Sequence, residues 1–147
     1  LNFQAQVGDL ESFKKFDYFD YIIMVNFLHH VENIDNVLKK VKKFSKKDGT
    51  FIIMEQNPLN PLFIPFFIWI KAFKNHFNFY YLRSNIFTLK KILENNKFNE
   101  IQVFKYGFLP SLLYNHSKFF KKINEGLNKI PAINTFCAFH IIKCAVK

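Results

Sequence analysis

The spacing of apolar residues changes several times along the chain, and each change predicts an element. Tyr21 to Val25 is an unbroken apolar run with no polar alternation, the pattern of a parallel strand covered on both faces. Asn26 ends it. Ile34, Val37, Leu38, Val41 and Phe44 then recur at helical spacing, while Lys39, Lys40, Lys42, Lys43, Lys46 and Lys47 fill the remaining positions. This predicts an amphipathic helix lying on a sheet. Asn33 is placed to cap it, Asp35 suits its positive end, the lysines suit its negative end, and Gly49 sits where a stop is expected. Phe51 to Met54 follows as a second apolar strand. A strand, a crossover helix and a parallel strand form a right-handed βαβ unit, and ligands of such sheets gather at the carboxyl ends of the strands. Those ends carry Asn26, His29 and His30 in one case and Glu55, Gln56 and Asn57 in the other.

The remaining elements arrange themselves around this unit. Phe3 to Val7 reads as a preceding strand. Residues 57–83, with three prolines and a dense aromatic cluster, predict a lid-like insertion, helical or irregular, over the substrate side. Ser84 or Thr88 is placed to cap a helix that turns Leu89, Ile92 and Leu93 inward and stops near Asn95 and Asn96. Ile101 to Tyr106 reads as a strand. Pro110 opens a helix with Leu113, Phe119, Phe120, Ile123 and Leu127 inward, Pro131 ends that segment, and Thr135 to Val146 is the last strand. No repeat or low-complexity linker divides the chain, so a single domain over residues 1–147 is expected.

Composition changes this picture little. At 147 residues, half of them hydrophobic and 19% aromatic, the chain can bury a real core and is not a disordered segment. The net charge of +10 would suit nucleic acid or anionic lipid. Yet the lysines fall mainly on predicted helix faces, and no basic and aromatic residues alternate as in an RNA-binding surface, so no nucleic acid is expected. Cys137 and Cys144 on one strand would be roughly 23 Å apart and point to opposite faces. A reduced, cytoplasmic protein follows as the expectation. The longest apolar run, Leu62 to Ile70, has nine residues including Pro65, against the ~20 a membrane-spanning helix needs.

The segments GDLESF at 8–13, FDYIIMVNFLHHV at 19–31, the lysine-rich helix, KKDGTFIIMEQNP at 46–58 and TLKKILENNKF at 88–98 together resemble a class I S-adenosylmethionine-dependent methyltransferase. The resemblance covers roughly residues 2–107. It implies a Rossmann-like three-layer αβα sandwich with a mostly parallel sheet, an antiparallel last strand and the strand order 3-2-1-4-5-7-6. It also implies a truncated domain, the C-terminal part of the family's, because the chain opens on the family's third strand. The glycine-rich loop under the cofactor's methionine portion is absent, since Gly8, Gly49, Gly107 and Gly126 form no GxG pair. Cofactor binding by this chain is expected to be impaired accordingly.

By the same resemblance, S-adenosyl-L-methionine is the cofactor. Gly8, Asp9 and Leu10 meet its adenine, and Asn26, Phe27 and Leu28 pack against its methionyl part. His29 is the candidate general base, because an imidazole can take a proton near neutral pH. His30, Glu55, Asn57, Tyr80 and Arg83 are candidates for placing the acceptor. No metal site is expected: adjacent histidines diverge, and no Cys, Asp or Glu completes a spaced ligand set. The aromatic lid favours a small or lipid-like methyl acceptor. A second reading is a non-catalytic basic protein at a membrane surface, in which residues 62–73 dip into lipid while Lys71 and Lys74 meet headgroups. It leaves the segments at 8–13 and 28–31 without a role.

Overall fold

The computed structural model describes residues 13, 16–65, 68, 79–109, 115 and 117–146. The expected strand at 3–7, Gly8, Asp9 and Leu10, the middle of the lid-like insertion with Phe66, Phe67, Trp69 and Phe73, and residues 110–114 lie outside them. The described chain forms β1 (Phe19–Val25), α1 (Ile34–Phe44), β2 (Ser45–Gln56), α2 (Ile86–Asn95), β3 (Asn99–Tyr106), α3 (Lys118–Asn128), the short α4 (Pro131–Asn134) and β4 (Phe139–Ala145). Short 3-10 turns occupy Leu28–His30, Pro61–Phe63 and Phe79–Ser84.

The four strands form one sheet in the order β1-β2-β4-β3. β1 pairs with β2 in parallel, and β4 runs antiparallel to both β2 and β3. β1, β2 and β3 therefore point one way and the last strand the other, the 4-5-7-6 portion of the expected order. Period-two alternation decides what is buried. Phe51, Ile53, Ile142 and Cys144 lie on one face with Ile22, Met24, Ile101 and Val103. That face is closed by Leu38 and Val41 from α1 and by Leu89 and Leu93 from α2.

The opposite face differs from the expectation of a strand covered on both sides. Tyr21, Ile23 and Val25 of β1 and Phe104 and Tyr106 of β3 are 53–65% exposed. The sheet and one helical layer are thus seen among the described residues. Both cysteines are free and buried, and burial pushes the Cys144 thiol up to about 12.

Several boundaries shift. α1 is capped by Asn33, whose side chain accepts from the Asn36 N–H as anticipated. It stops at Phe44 rather than near Gly49, because Ser45 turns to an extended backbone and β2 begins there. Gly49 instead lies within β2, where a Cβ would collide with Ser45 Oγ and the Lys46 carbonyl. α2 is capped by Asn85, whose Oδ1 accepts from Thr88 N at 2.9 Å, and not by Ser84 or Thr88. Ser84 is buried, its hydroxyl donating to the Tyr81 carbonyl at 2.7 Å with the Gln56 carbonyl at 3.3 Å. α3 starts at Lys118 behind the Ser117 cap, and Phe119 points outward at 68% exposure. Its one buried residue is Asn124, which receives the N–H groups of Phe108 and Leu109.

Candidate active site

The carboxyl ends of β1 and β2 lie side by side, and Glu55 joins them. Along β2, Phe51, Ile53 and Glu55 share the buried face, so the same alternation that builds the core carries this carboxylate into it. Glu55 is completely buried. An isolated buried charge would be very costly, so its partners decide whether it is tolerated. After β1, Asn26 adopts the left-handed conformation with φ 49°, which favours Asn over bulkier residues. The chain then folds over the end of β2. Glu55 Oε1 accepts from Phe27 N at 2.9 Å and from Leu28 N at 2.6 Å. Its Oε2 lies 2.6 Å from Nδ1 of His29.

The 28–30 turn packs against the 79–84 turn. The His29 ring meets Tyr81 edge to face at 5.2 Å and His30 at 4.0 Å between centroids. Tyr81 donates its hydroxyl to Gln56 Oε1 at 2.8 Å. Burial and the nearby Glu55 carboxylate hold the Tyr81 phenol well above its ordinary range. Arg83 donates to the carbonyls of Val31 and Glu32 and stacks over the Tyr80 ring at 4.2 Å, tying the two turns together.

Across the sheet, His140 of β4 is the register partner of Glu55 and is itself completely buried. Neither of its ring nitrogens has hydrogen-bond geometry with a described residue. Burial pushes it down to about 4, against the opposing pull of Glu55 and the Ser84 backbone.

The residues singled out from the sequence separate into groups. Leu28, His29, His30, Tyr80 and Arg83 come together on the two turns, with Phe27 just before the first and Glu55 at the end of β2 beneath it. His30 is exposed and His29 half-buried, whereas Leu28 is only 1% exposed and sits in the core. Asn57 is buried beside them, but its amide donates to the Thr135 carbonyl at 3.0 Å and its oxygen receives Leu59 N. Asn60, equally buried, bonds the carbonyls of Phe108 and Phe136. These two asparagines fasten the start of the 57–83 segment to the β3 and β4 ends. Tyr81 and His140 escaped sequence reasoning. Tyr81 carries no signal beyond its aromatic neighbours. His140 had one: counting by twos from Ile142 places it on the core face. Among the described residues, no group of three or more His, Cys, Asp or Glu is arranged to hold a metal ion.

A sheet with this order, helices α1 and α2 on one face and a ligand-side turn after β1 defines the Rossmann-like fold of S-adenosylmethionine-dependent methyltransferases. Solved structures share that fold. A SAM-dependent methyltransferase from Archaeoglobus fulgidus is 19% identical with a TM-score of 0.58, over 92% of this chain and 62% of that one. A protein from Thermotoga maritima described as a possible histamine N-methyltransferase is 18% identical with a TM-score of 0.61, over 95% and 62%. Phosphoethanolamine N-methyltransferase 2 of Haemonchus contortus, solved with S-adenosyl-L-methionine, is 14% identical with a TM-score of 0.57, over 93% and 35%. The chain thus spans less than two thirds of the length of these structures. A comparison with curated proteins finds no match. A family model described as a methyltransferase domain matches residues 3–103, and the chain belongs to that family.

Proposed function

We propose that the protein transfers a methyl group from S-adenosylmethionine to a small or lipid-like acceptor, at the carboxyl ends of β1 and β2. The observation that carries this reading is the turn at residues 27–30, fixed by a buried carboxylate and presenting His29 where ligands of such sheets gather. The cofactor supplies a methyl group on a positively charged sulfur with a neutral leaving group. The protein's part is to orient the acceptor, exclude water and take a proton where the acceptor carries one.

The described residues fit one side of such a cofactor. Asn26 and Phe27 are exposed at the turn and offer its methionyl part a wall, while Leu28, its side chain buried, its N–H on Glu55 and its carbonyl on Val31 N, supports the turn from below. Gly8, Asp9 and Leu10 are assigned to the adenine. No GxG pair exists in the chain to cradle the methionine portion, so this chain by itself should bind the cofactor weakly. His29 is assigned the proton, and His30, Tyr80 and Arg83 the acceptor side, while Asn57, buried and bonded to the Thr135 carbonyl and Leu59 N, serves to fasten the 57–83 segment. The Haemonchus and Thermotoga proteins are named for amine acceptors, which supports trying small amines first.

The experiment is a methyl-transfer assay against a panel of small amines and lipid amines, with calorimetric titration of the cofactor alongside. The reading expects transfer that falls about 10²-fold or more in His29→Gln. Transfer unchanged by that substitution would contradict the role of His29, and tight cofactor binding by this chain would contradict its impairment.

A second reading has its own support. Leu62, Ile64 and Ile68 are all exposed, at 38–64%, on the segment proposed to touch a membrane. No helix among the described residues is long and apolar enough to cross one. Flotation with anionic vesicles that is lost in Leu62→Ser/Ile64→Ser would support peripheral contact.

A further inference from the structure

The sequence offers Glu55 as a contact for the acceptor, but the structure buries it beneath the turn that carries His29. It is completely buried, and both oxygens are engaged by the turn that carries His29. We propose instead that Glu55 is a positioning residue, which holds His29 with its proton on Nδ1 and so leaves Nε2 as the nitrogen that takes the acceptor's proton. The role in proton removal rests on the methyl-transfer reading above; the placement of the proton does not.

An ionised carboxylate only accepts, with two oxygens and room for about four hydrogen bonds. Oε1 already receives two backbone N–H groups, at 2.9 and 2.6 Å. These are fixed donors, because a backbone amide does nothing else. Oε2 then faces Nδ1 at 2.6 Å, just below the range of charge-assisted N–H···O bonds, so the two atoms are in direct hydrogen-bond contact. The proton in that bond belongs to the imidazole. With Nδ1 protonated, a neutral ring keeps its lone pair on Nε2. During transfer the acceptor's lone pair forms the new bond to the methyl carbon, the carbon–sulfur pair leaves with the sulfur, and the acceptor's proton passes to Nε2. The imidazolium so formed lies against the Glu55 carboxylate. His30, Tyr81, Arg83 and His140 are the other titratable or charged groups packed about this pair.

Glu55→Gln separates placement of the proton from packing. The glutamine oxygen can still receive Phe27 N and Leu28 N, so the turn keeps its backbone bonds. Its amide nitrogen, however, would face Nδ1 as a donor, and a ring that accepts at Nδ1 must carry its proton on Nε2. The substitution therefore preserves shape and reverses the tautomer.

The test is nitrogen-15 NMR of the histidine side chains in this chain, with the His29 signals assigned by their loss in His29→Gln. It needs neither cofactor nor acceptor. The proposal expects His29 Nδ1 to be of the protonated type and Nε2 of the bare type, the two to exchange character in Glu55→Gln, and Glu55→Asp to retain the original pattern at least in part. In any preparation that transfers methyl groups, Glu55→Gln should lower kcat about 10²-fold with little change in the acceptor's KM. A wild-type His29 protonated on Nε2, or a tautomer indifferent to Glu55→Gln, would overturn the proposal. Should the folded Gln variant be unobtainable, the wild-type spectrum alone decides. Failure of methyl transfer beside the expected tautomer would remove the proposed function and leave Glu55 in control of His29.

Discussion

The two faces of the sheet are built from the same strands and behave differently. On one, Phe51, Ile53, Ile142 and Cys144 are at most 2% exposed beneath α1 and α2. On the other, Tyr21, Ile23, Val25, Phe104 and Tyr106 stand in solvent, and Ile52, Met54 and Ile141 between them are half-buried. Residues of nearly equal hydrophobicity, one position apart, thus differ in what they contribute to folding. The site belongs to the covered face. Glu55 and His140 project from it and are completely buried, with the 27–28 backbone and the His29 side chain closing over Glu55.

The largest contrast should appear in truncations. Phe51→Ala on the covered face should cost about 3–5 kcal/mol, enough to unfold a marginal domain, by loss of burial and creation of a cavity. Ile23→Ala on the open face should stay within about 0.5 kcal/mol. Urea denaturation of both variants makes the comparison, and equal losses would mean that the open face is covered in solution.

Acid should act next, through His140 on the covered face. His140 is lowered from 6.5 to about 4 in the folded chain, so the unfolded chain binds its proton first. Stability is then full above about pH 6.5, falls as pH drops from there to about 4, and loses on the order of 3 kcal/mol in total. His140→Gln should flatten that part of the profile in melts recorded from pH 7 to 4. A profile unaffected by the substitution would place a proton or partner on His140 that the geometry does not.

Smaller effects belong to the helix entries. Asn33→Ala and Asn85→Ala each remove a side-chain cap on a helix of the covered face and should cost about 1 kcal/mol apiece in the same assay. Loss from the Asn85 variant alone would mean that α1 is held by packing and not by its cap.

Much of the covered face was legible in the sequence, because alternation and helical spacing are local. Ile34, Val37, Leu38, Val41 and Phe44 name the buried stripe of α1 without any tertiary knowledge. The open face was not legible. A continuous apolar run such as 21–25 reads the same whether one face or both are covered, and only the partner elements decide. The site divides in the same way. The turn at 26–30 and the end of β2 could be found from strand ends, but that Glu55 turns inward to hold Phe27, Leu28 and His29 depends on a contact spanning 26–28 positions. Its position in phase with Phe51 and Ile53 was the available sign. The early end of α1 was hidden because lysines suit a helix terminus and an exposed strand entry equally well.

The most direct test of the account is a titration of this chain with S-adenosylhomocysteine, followed by amide NMR. The account predicts weak, saturable shifts centred on the Asn26, Phe27 and Leu28 amides, with residues 45–50 at the far end of β2 unmoved. No shift at the turn up to millimolar ligand, or shifts centred elsewhere on the sheet, would contradict it.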